Sequence, residues 1–374
     1  MIEKMRYIFS AALCFLVCVL LASGCHCFVG YTEEKYPVET GSFPLTEAWS
    51  FQTSNDIIAI AVSDNYVIIG TGGRNGDLYR IDFNSRTEVW HQRLTGESQN
   101  MQLIISDQSV FVSYANSLFA LEVTDGRLLW TVFDMNTLVD KLVTFSNSHI
   151  FVEKVSENIT AYDRNSGSID WTIPIGRGHV SLFYEDDTDL VYKFQGSWIA
   201  AIDDETGVIT REKYYESIDY VVYENGKMYY SIDDDAIRNI LFAYDLERDT
   251  LLWEIPLDSA IKGIYPIMDS LVIVTAYSLA VVNYQVGEIT WEIMVYPDFY
   301  SAPAILGSFI YIRNTTANEL LAIRFEDGKV LGSLDFGWSD GLFLMTPQPG
   351  VQSDLQETLL VSYRNNIFFL DDSH

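Results

Sequence analysis

Tryptophan recurs along this chain at intervals of about 40 residues, and this repeat constrains the fold more than any other feature of the sequence. The gap from Trp171 to Trp253 spans two periods, 82 residues, and Arg211 lies next to its midpoint. One further period after Trp291 reaches Gly332. Six of the eight tryptophans lie on the spacing: Trp49, Trp90, Trp130, Trp171, Trp253 and Trp291. The chain is therefore expected to consist of consecutive copies of one structural unit.

Each unit contains short apolar strands. About ten residues before the repeat position lies a strand with a small residue followed by an acidic one, as in LFALEV (118–123). An earlier strand is rich in β-branched and aromatic residues, as in VFVSYA (110–115). Arg86 and Asp249 replace a turn glycine in two units, where we expect strained turns or turns of another type. In the other units this glycine suits a hairpin with positive φ: Gly126, Gly167, Gly207, Gly287 and Gly328.

Four antiparallel strands in a unit of about 40 residues describe one blade of a β-propeller. Counting the strands with the small residue gives eight units. The eighth unit ends at His374, just after its third strand, whereas residues 47–51 carry the first repeat tryptophan with no unit before them. We therefore predict an all-β fold over residues 45–374. It is an eight-bladed β-propeller of four-stranded antiparallel blades, in which the N-terminal strand completes the last blade and closes the ring.

The first residues have the pattern of a secretory signal. Lys4 and Arg6 precede an apolar segment at 7–22, which is short for a helix that spans a bilayer. Small residues then lead to a cysteine in the sequence Leu21-Ala22-Ser23-Gly24-Cys25. This arrangement resembles the lipobox of bacterial lipoproteins, although that motif usually has leucine at the position of Ala22.

The lipobox resemblance implies that cleavage leaves Cys25 as the new N-terminus and that its thiol receives a lipid. We accordingly predict a signal peptide at 1–24 and a lipid-anchored tether at 25–44. The protein is then exported across the inner membrane and anchored in the cell envelope, in the outer membrane if the organism has one. Ordinary signal cleavage and an uncleaved anchor helix are the alternatives.

Composition excludes several classes of function. The 23 Lys+Arg and 52 Asp+Glu give a formal net charge of −29, which argues against nucleic acid and anionic lipid surfaces as partners of the folded body. All four cysteines lie within the first 27 residues, so the body has no disulfide framework and no cysteine-based zinc site. No histidine pair or phosphate-binding motif is present. We predict no catalytic, cofactor-binding or metal-ligating residue; whether an acidic segment such as 185–189 holds calcium stays open.

The repeated motif A-x-D-x-x-x-G-x-x-x-W resembles the repeat of pyrroloquinoline-quinone-type propellers. Ala161, Asp163, Gly167 and Trp171 match it in full. In that family the tryptophan of one blade docks against the next blade, so the resemblance implies that the six repeat tryptophans are structural docking residues. The resemblance covers residues 45–374 approximately and is specific for the fold; it says less about function.

Two branches of that family suggest different functions. Quinoprotein alcohol dehydrogenases bind quinone and calcium on the propeller axis, typically beside a disulfide between adjacent cysteines, and this propeller contains no cysteine. The other branch resembles the lipid-anchored propeller of the outer-membrane β-barrel assembly machinery, which is a non-enzymatic scaffold. We expect a non-enzymatic envelope scaffold without cofactor, whose partners are envelope or membrane proteins and the membrane through the lipid anchor. The alternatives are a quinone- or calcium-binding oxidoreductase and an envelope protein with a structural or sensory role.

Overall fold

The computed structural model describes residues 44–63, 65–98, 100–106, 108–133, 139–154, 158–175, 180–215, 218–224, 226–234, 238–297, 302–316, 318–335, 343–345 and 358–372. These residues form thirty-two β-strands that pair into eight antiparallel sheets of four strands each. Within these ranges no helix is long and apolar enough to cross a membrane. The predicted all-β, eight-bladed β-propeller is confirmed.

The first four blades follow the chain from the innermost to the outermost strand. Blade I contains β2 (Ile57–Ser63), β3 (Tyr66–Thr71), β4 (Asp77–Asp82) and β5 (Thr87–Arg93). Blade II contains β6 (Met101–Ile105), β7 (Ser109–Tyr114), β8 (Ser117–Glu122) and β9 (Leu128–Phe133). Blade III contains β10 (Val139–Phe145), β11 (His149–Lys154), β12 (Asn158–Asp163) and β13 (Ile169–Pro174). Blade IV contains β14 (Val180–Glu185), β15 (Leu190–Gln195), β16 (Trp198–Asp203) and β17 (Ile209–Tyr214).

The next three blades repeat this order, and the last combines both ends of the propeller. Blade V contains β18 (Val221–Glu224), β19 (Lys227–Asp234), β20 (Arg238–Asp245) and β21 (Thr250–Leu257). Blade VI contains β22 (Ile261–Ile267), β23 (Ser270–Thr275), β24 (Ser278–Asn283) and β25 (Glu288–Met294). Blade VII contains β26 (Ala304–Leu306), β27 (Phe309–Asn314), β28 (Glu319–Arg324) and β29 (Val330–Asp335). Blade VIII contains β30 (Phe343–Met345), β31 (Thr358–Tyr363), β32 (Asn366–Asp372) and β1 (Leu45–Gln52).

The N-terminal strand closes the ring, as predicted. Strand β1 pairs antiparallel with β32, so the order of the last sheet is β1-β32-β31-β30. Just beyond β1, the backbone N–H of Thr53 donates to the carbonyl of Asn365 over 2.8 Å. Because β1 supplies the outermost strand, β32 does not present an open edge to other chains.

The hydrophobic core lies between neighbouring blades, at interfaces that we call seams. Successive residues of a strand point to opposite sides of the sheet, so each blade packs on both its neighbours. At the seam between blades II and III, Phe111 and Trp130 pack with Val152 of the next blade. Because every blade buries an apolar surface on each side, the stability of one blade depends on the blades beside it.

The repeated acidic residue holds the hairpin that precedes each repeat position. In blade III, the Asp163 carboxylate accepts hydrogen bonds from the backbone N–H of Ser166 over 2.7 Å and of Asn165 over 3.1 Å. The Ser166 hydroxyl also donates to it, and these hydrogen bonds lower the pKa of Asp163. Gly167 follows with φ 71°. In the two units without this glycine, Arg86 and Asp249 adopt φ of 55° and 56°, so the predicted strain is present.

The blade ends form two faces of the ring. We call one the linker face, because it carries the connections between blades, such as residues 53–56, and the turns between second and third strands, such as 115–116. The opposite hairpin face carries the turns between first and second strands and between third and fourth strands, such as 83–86. The two faces present different side chains to solvent.

Candidate functional site

Five of the repeat tryptophans contact the following blade in the same way. At the seam between blades III and IV, the Trp171 indole N–H donates to the carbonyl of Asp204 over 2.7 Å. Its ring lies on Gly207, where a Cβ would be 2.6 Å from a ring carbon. Equivalent indole hydrogen bonds of 2.8–2.9 Å, each with a glycine under the ring, are made by Trp90, Trp130, Trp253 and Trp291. That these contacts stabilise the ring stays a prediction, which the Discussion develops.

The seam between blades IV and V replaces both partners of this contact. Arg211 stands at the repeat position and donates from Nη1 to the carbonyl of Leu246 over 3.3 Å, the carbonyl equivalent to the one that tryptophan contacts elsewhere. Asp249 stands in the place of the glycine and accepts a hydrogen bond from Lys213. The same lysine donates to the Tyr244 hydroxyl over 2.6 Å. The Lys213 hydrogen bond lowers the pKa of Asp249, and Asp249 raises that of Lys213.

Trp49, the sixth repeat tryptophan, sits differently because it belongs to the closing strand. It pairs with Phe369, which occupies the place of the small residue, and the two ring centroids are 4.2 Å apart. The next blade offers Arg86 instead of glycine, and its guanidinium donates to the carbonyl of Ala48 over 3.3 Å. Trp49 is therefore half-buried in the cluster that joins blades VIII and I.

Cys25, the predicted lipidation site, lies outside the described residues. The boundaries of the signal peptide at 1–24 and of the tether at 25–44 also fall within or at the edge of that part of the chain. They stay predictions.

Acidic side chains of blades III to V are engaged by neighbouring polar groups. Glu185 accepts hydrogen bonds from the hydroxyls of Tyr223 and Thr188, and Tyr184 donates to Asp189 over 2.8 Å. Within the described ranges, no three histidine, cysteine or acidic side chains are grouped so that they could hold a metal ion. The segment 185–189 forms a hydrogen-bonded turn between β14 and β15 on the hairpin face.

His149 is buried at the seam between blades III and IV. Its Nδ1 lies 2.8 Å from Oδ1 of Asp204 in the next blade, and its Nε2 lies 3.0 Å from Oδ2 of Asp170 in its own blade. Asp204 also provides the carbonyl that Trp171 contacts. The imidazole of His149 thus links blades III and IV. No sequence motif indicated this structural role.

Exposed aromatic pairs on the linker face form the candidate binding site. In blade IV, Trp198 opens β16 directly opposite Tyr214 at the end of β17. The rings meet edge to face with centroids 5.2 Å apart, yet 48% and 61% of these residues are exposed. Sequence reasoning missed Trp198 because it lies off the 40-residue spacing. Its position off the spacing did indicate a different role, because a tryptophan outside the repeat position is not expected to dock against the next blade.

Blade VI carries a second apolar group at the same end of the sheet. Tyr277 and Tyr296 meet edge to face with centroids 6.0 Å apart, and Met294 beside them is 64% exposed. Met294 ends β25 as Tyr214 ends β17, and Phe133 ends β9 of blade II, also largely exposed. Tyrosine, tryptophan and methionine are the residues that protein interfaces favour over the rest of the surface.

The fold and its seams define the class: an eight-bladed propeller of pyrroloquinoline-quinone-type repeats. Three stretches, 46–181, 120–214 and 238–347, match the model of the family described as outer membrane protein assembly factor BamB. Together they cover well over half of the chain. The chain belongs to this family, and the predicted resemblance is confirmed. The comparison with curated proteins finds no significant match.

Solved structures show the same fold at low sequence identity. BamB from Moraxella catarrhalis is 16% identical, with 88% of this chain and 98% of that chain covered and a TM-score of 0.66. The WD40 domain of Sif2 is 12% identical, with 88% and 99% covered and a TM-score of 0.67. The computationally designed Ika8 protein is also 12% identical, with 86% and 98% covered and a TM-score of 0.66. Identities this low support the fold alone.

Proposed function

We propose that this protein is a non-enzymatic scaffold of the cell envelope that binds other proteins and acts in outer-membrane protein assembly. Membership of the BamB family supports the setting. The observation that carries the proposal is the set of apolar side chains, including Trp198 and Met294, that one face of a rigid ring exposes to solvent. A docking scaffold needs such anchors and needs no catalytic group.

The physical argument rests on the free energy of exposed apolar surface. Burying apolar area is worth about 25 cal/mol per Å² removed from water, and aromatic side chains supply much area with few rotatable bonds. The rings of Trp198 and Tyr214 already contact each other, so little further side-chain conformational freedom is lost when a partner covers them. A net charge of −29 keeps the unbound protein soluble despite these anchors.

The localisation is part of the same proposal. A lipid on Cys25 holds the propeller at a membrane of the envelope, in the outer membrane if the organism has one, through the tether at 25–44. Because a single lipid-bearing terminus restricts the ring to the membrane surface, even weak docking to membrane proteins then benefits from a high effective concentration.

Two exposed methionines of blade VI provide a matched experiment. Met294 lies on the linker face and is 64% exposed, whereas Met268 lies on the hairpin face and is 70% exposed. A photo-crosslinking amino acid is placed at Met294, at Tyr214 or at Met268 in full-length protein within native envelopes. We expect crosslinks to envelope proteins from the first two positions and few from the third. Equal crosslinking from all three, or stoichiometric binding of added quinone with substrate oxidation, would refute the proposal.

A further inference from the structure

Blade IV has a lysine at a core position that is aliphatic in six of the other blades and tyrosine in the seventh. In blade IV the repeated small residue of the third strand is Ala201, and the residue before it is Ala200. Lys193, on the second strand, pairs directly with Ala200. The equivalent residues are Ile69, Val112, Val152, Tyr230, Ile273, Ile312 and Val361. All seven are buried. Lysine at such a place has no role in the packing of the repeat.

The side chain of Lys193 is largely buried and has no direct hydrogen-bonding partner among the described residues. Only 7% of the residue is exposed, and its ammonium forms no hydrogen bond or ion pair with any residue in the described ranges. Burial lowers the pKa of Lys193, and the nearby negative charge of Glu212 offsets this only in part. Lys193 Nζ is not one of the buried side-chain atoms that lack a hydrogen bond among the described residues, so the packed stem carries an ammonium that still touches solvent. The ammonium is partly desolvated, which costs stability, and it stays within reach of an anion from outside.

The lysine shares one side of its sheet with the exposed aromatic pair. Residues directly opposite one another in neighbouring strands point to the same side of a sheet, as do residues two apart on one strand. Lys193, Ala200 and Glu212 form one row across blade IV, and the parallel row two residues away contains Trp198 and Tyr214. Val191 and Ile202, on this same side of blade IV, pack against blade III. The lysine without a hydrogen-bonded partner and the candidate docking residues therefore occupy neighbouring rows on the side of blade IV that faces blade III.

We propose that Lys193, Trp198 and Tyr214 form a subsite for a carboxylate carried on an apolar group, as presented by an acidic segment of a partner protein. The carboxylate pairs with the ammonium, and the apolar group packs on the exposed rings. Glu212 in the row of Lys193 weakens the attraction for a bare anion, so the apolar part is needed for binding. This inference rests on the proposed function, because it specifies the chemistry of the partner at the same site.

The test uses the full-length protein and 4-phenylbutyrate as the probe, with 4-phenylbutyramide and acetate as matched compounds. Calorimetry measures binding, and the fluorescence change of Trp198, isolated by comparison with Trp198→Phe, locates it. We expect 4-phenylbutyrate to bind at least about tenfold more tightly than either control, because a hydrogen-bonded charge pair is lost with the amide and the apolar contact is lost with acetate. Equal binding of the acid and its amide would overturn the inference.

A substitution separates a binding role from a structural one. Lys193→Val, which restores the residue type of blades II and III, should weaken 4-phenylbutyrate binding about tenfold or more and raise the Tm. Lys193→Met keeps the length of the side chain and should behave alike, whereas Lys329→Met on the hairpin face should leave binding unchanged. A lower Tm for both Lys193 variants would make the lysine structural and refute the subsite. Crosslinking from Met294 is scored separately, so its loss would refute the proposed scaffold function without affecting the carboxylate result.

Discussion

Replacing Gly207 by alanine tests whether the repeat tryptophans join the blades by direct contact of a ring with backbone. Gly207 has φ 69° and is covered by Trp171 of the preceding blade; a Cβ would lie 2.6 Å from its ring carbon Cδ2. Carbon atoms in contact are ordinarily about 3.5–4.0 Å apart. Gly207→Ala therefore forces the ring or the turn to move, in addition to straining the alanine backbone.

Gly196 of the same blade separates these two costs. It also has a positive φ, 54°, but no atom lies within 4 Å of its added Cβ. Gly196→Ala then carries only the left-handed backbone strain, about 1–2 kcal/mol, whereas overpacking at a well-filled site adds about 1–3 kcal/mol. We expect the free energy of unfolding to fall by about 1–2 kcal/mol for Gly196→Ala and by about 2–5 kcal/mol for Gly207→Ala.

Repeating both alanine substitutions in a Trp171→Leu variant shows whether Trp171 causes the larger loss of stability in Gly207→Ala. Trp171→Leu removes the ring but keeps an apolar side chain at the seam, so in that background Gly207→Ala should cost no more than Gly196→Ala. Urea unfolding followed by circular dichroism gives the midpoints, and an unchanged m-value verifies that stability alone has changed. The reasoning is refuted if the two alanine variants are equally stable in the wild type, or if the cost of Gly207→Ala survives Trp171→Leu.

Three further outcomes test other parts of the molecule. Cys25→Ser should abolish lipid labelling and release the protein from membranes; equal labelling and fractionation would contradict the lipobox prediction. Deleting 45–53 removes the closing strand and should lower the Tm of the whole ring, whereas deleting 28–40 should leave it almost unchanged, and equal melting temperatures would contradict closure. Asp163 has a pKa lowered by Ser166 and the turn backbone, so its contribution is present above the unfolded-state pKa of about 3.9 and lost as pH falls through the lower folded-state value. In Asp163→Asn a neutral amide oxygen still accepts the hydrogen bonds of the turn, so the free energy of unfolding should fall less steeply at acid pH than in the wild type. Identical pH profiles of the two proteins would show that the Asp163 carboxylate contributes nothing to stability.

The blades could be predicted because the residues that determine each unit lie close together in the sequence. The small residue, the acidic residue, the turn glycine and the tryptophan occupy fixed places in one hairpin, and Asp163 with Gly167 shows the reason: the carboxylate holds the turn and the glycine adopts its positive φ. Ring closure was equally predictable, because an incomplete last unit and an extra first strand are complementary. The hairpin arguments need only strands that follow one another in the sequence, whereas closure needs the unit count that leaves the first strand and the last unit each incomplete.

The candidate site could not be predicted in the same way, because it depends on registers between strands. The row that joins Lys193 to Glu212 and the row that joins Trp198 to Tyr214 become neighbours only when three strands are paired. A trace was present in the sequence: the strand LVYKFQ (190–195) carries a lysine where VFVSYA (110–115) carries valine. Its significance required the burial and the missing partner, which only the packed seam reveals.

Blade IV departs from the repeat at both of its seams, and the two departures differ in kind. Toward blade V it has Arg211 in the place of tryptophan, and the facing glycine is replaced as well, so the exchange is matched on both sides. Toward blade III it has Lys193 in an apolar core and Trp198 where blades II and VI have serine. The first departure keeps a hydrogen bond to the next blade, whereas the second leaves a cation unpaired and an indole exposed. Because natural sequences often break local rules at functional sites, the departure without a matching exchange is the one at which we propose a binding site.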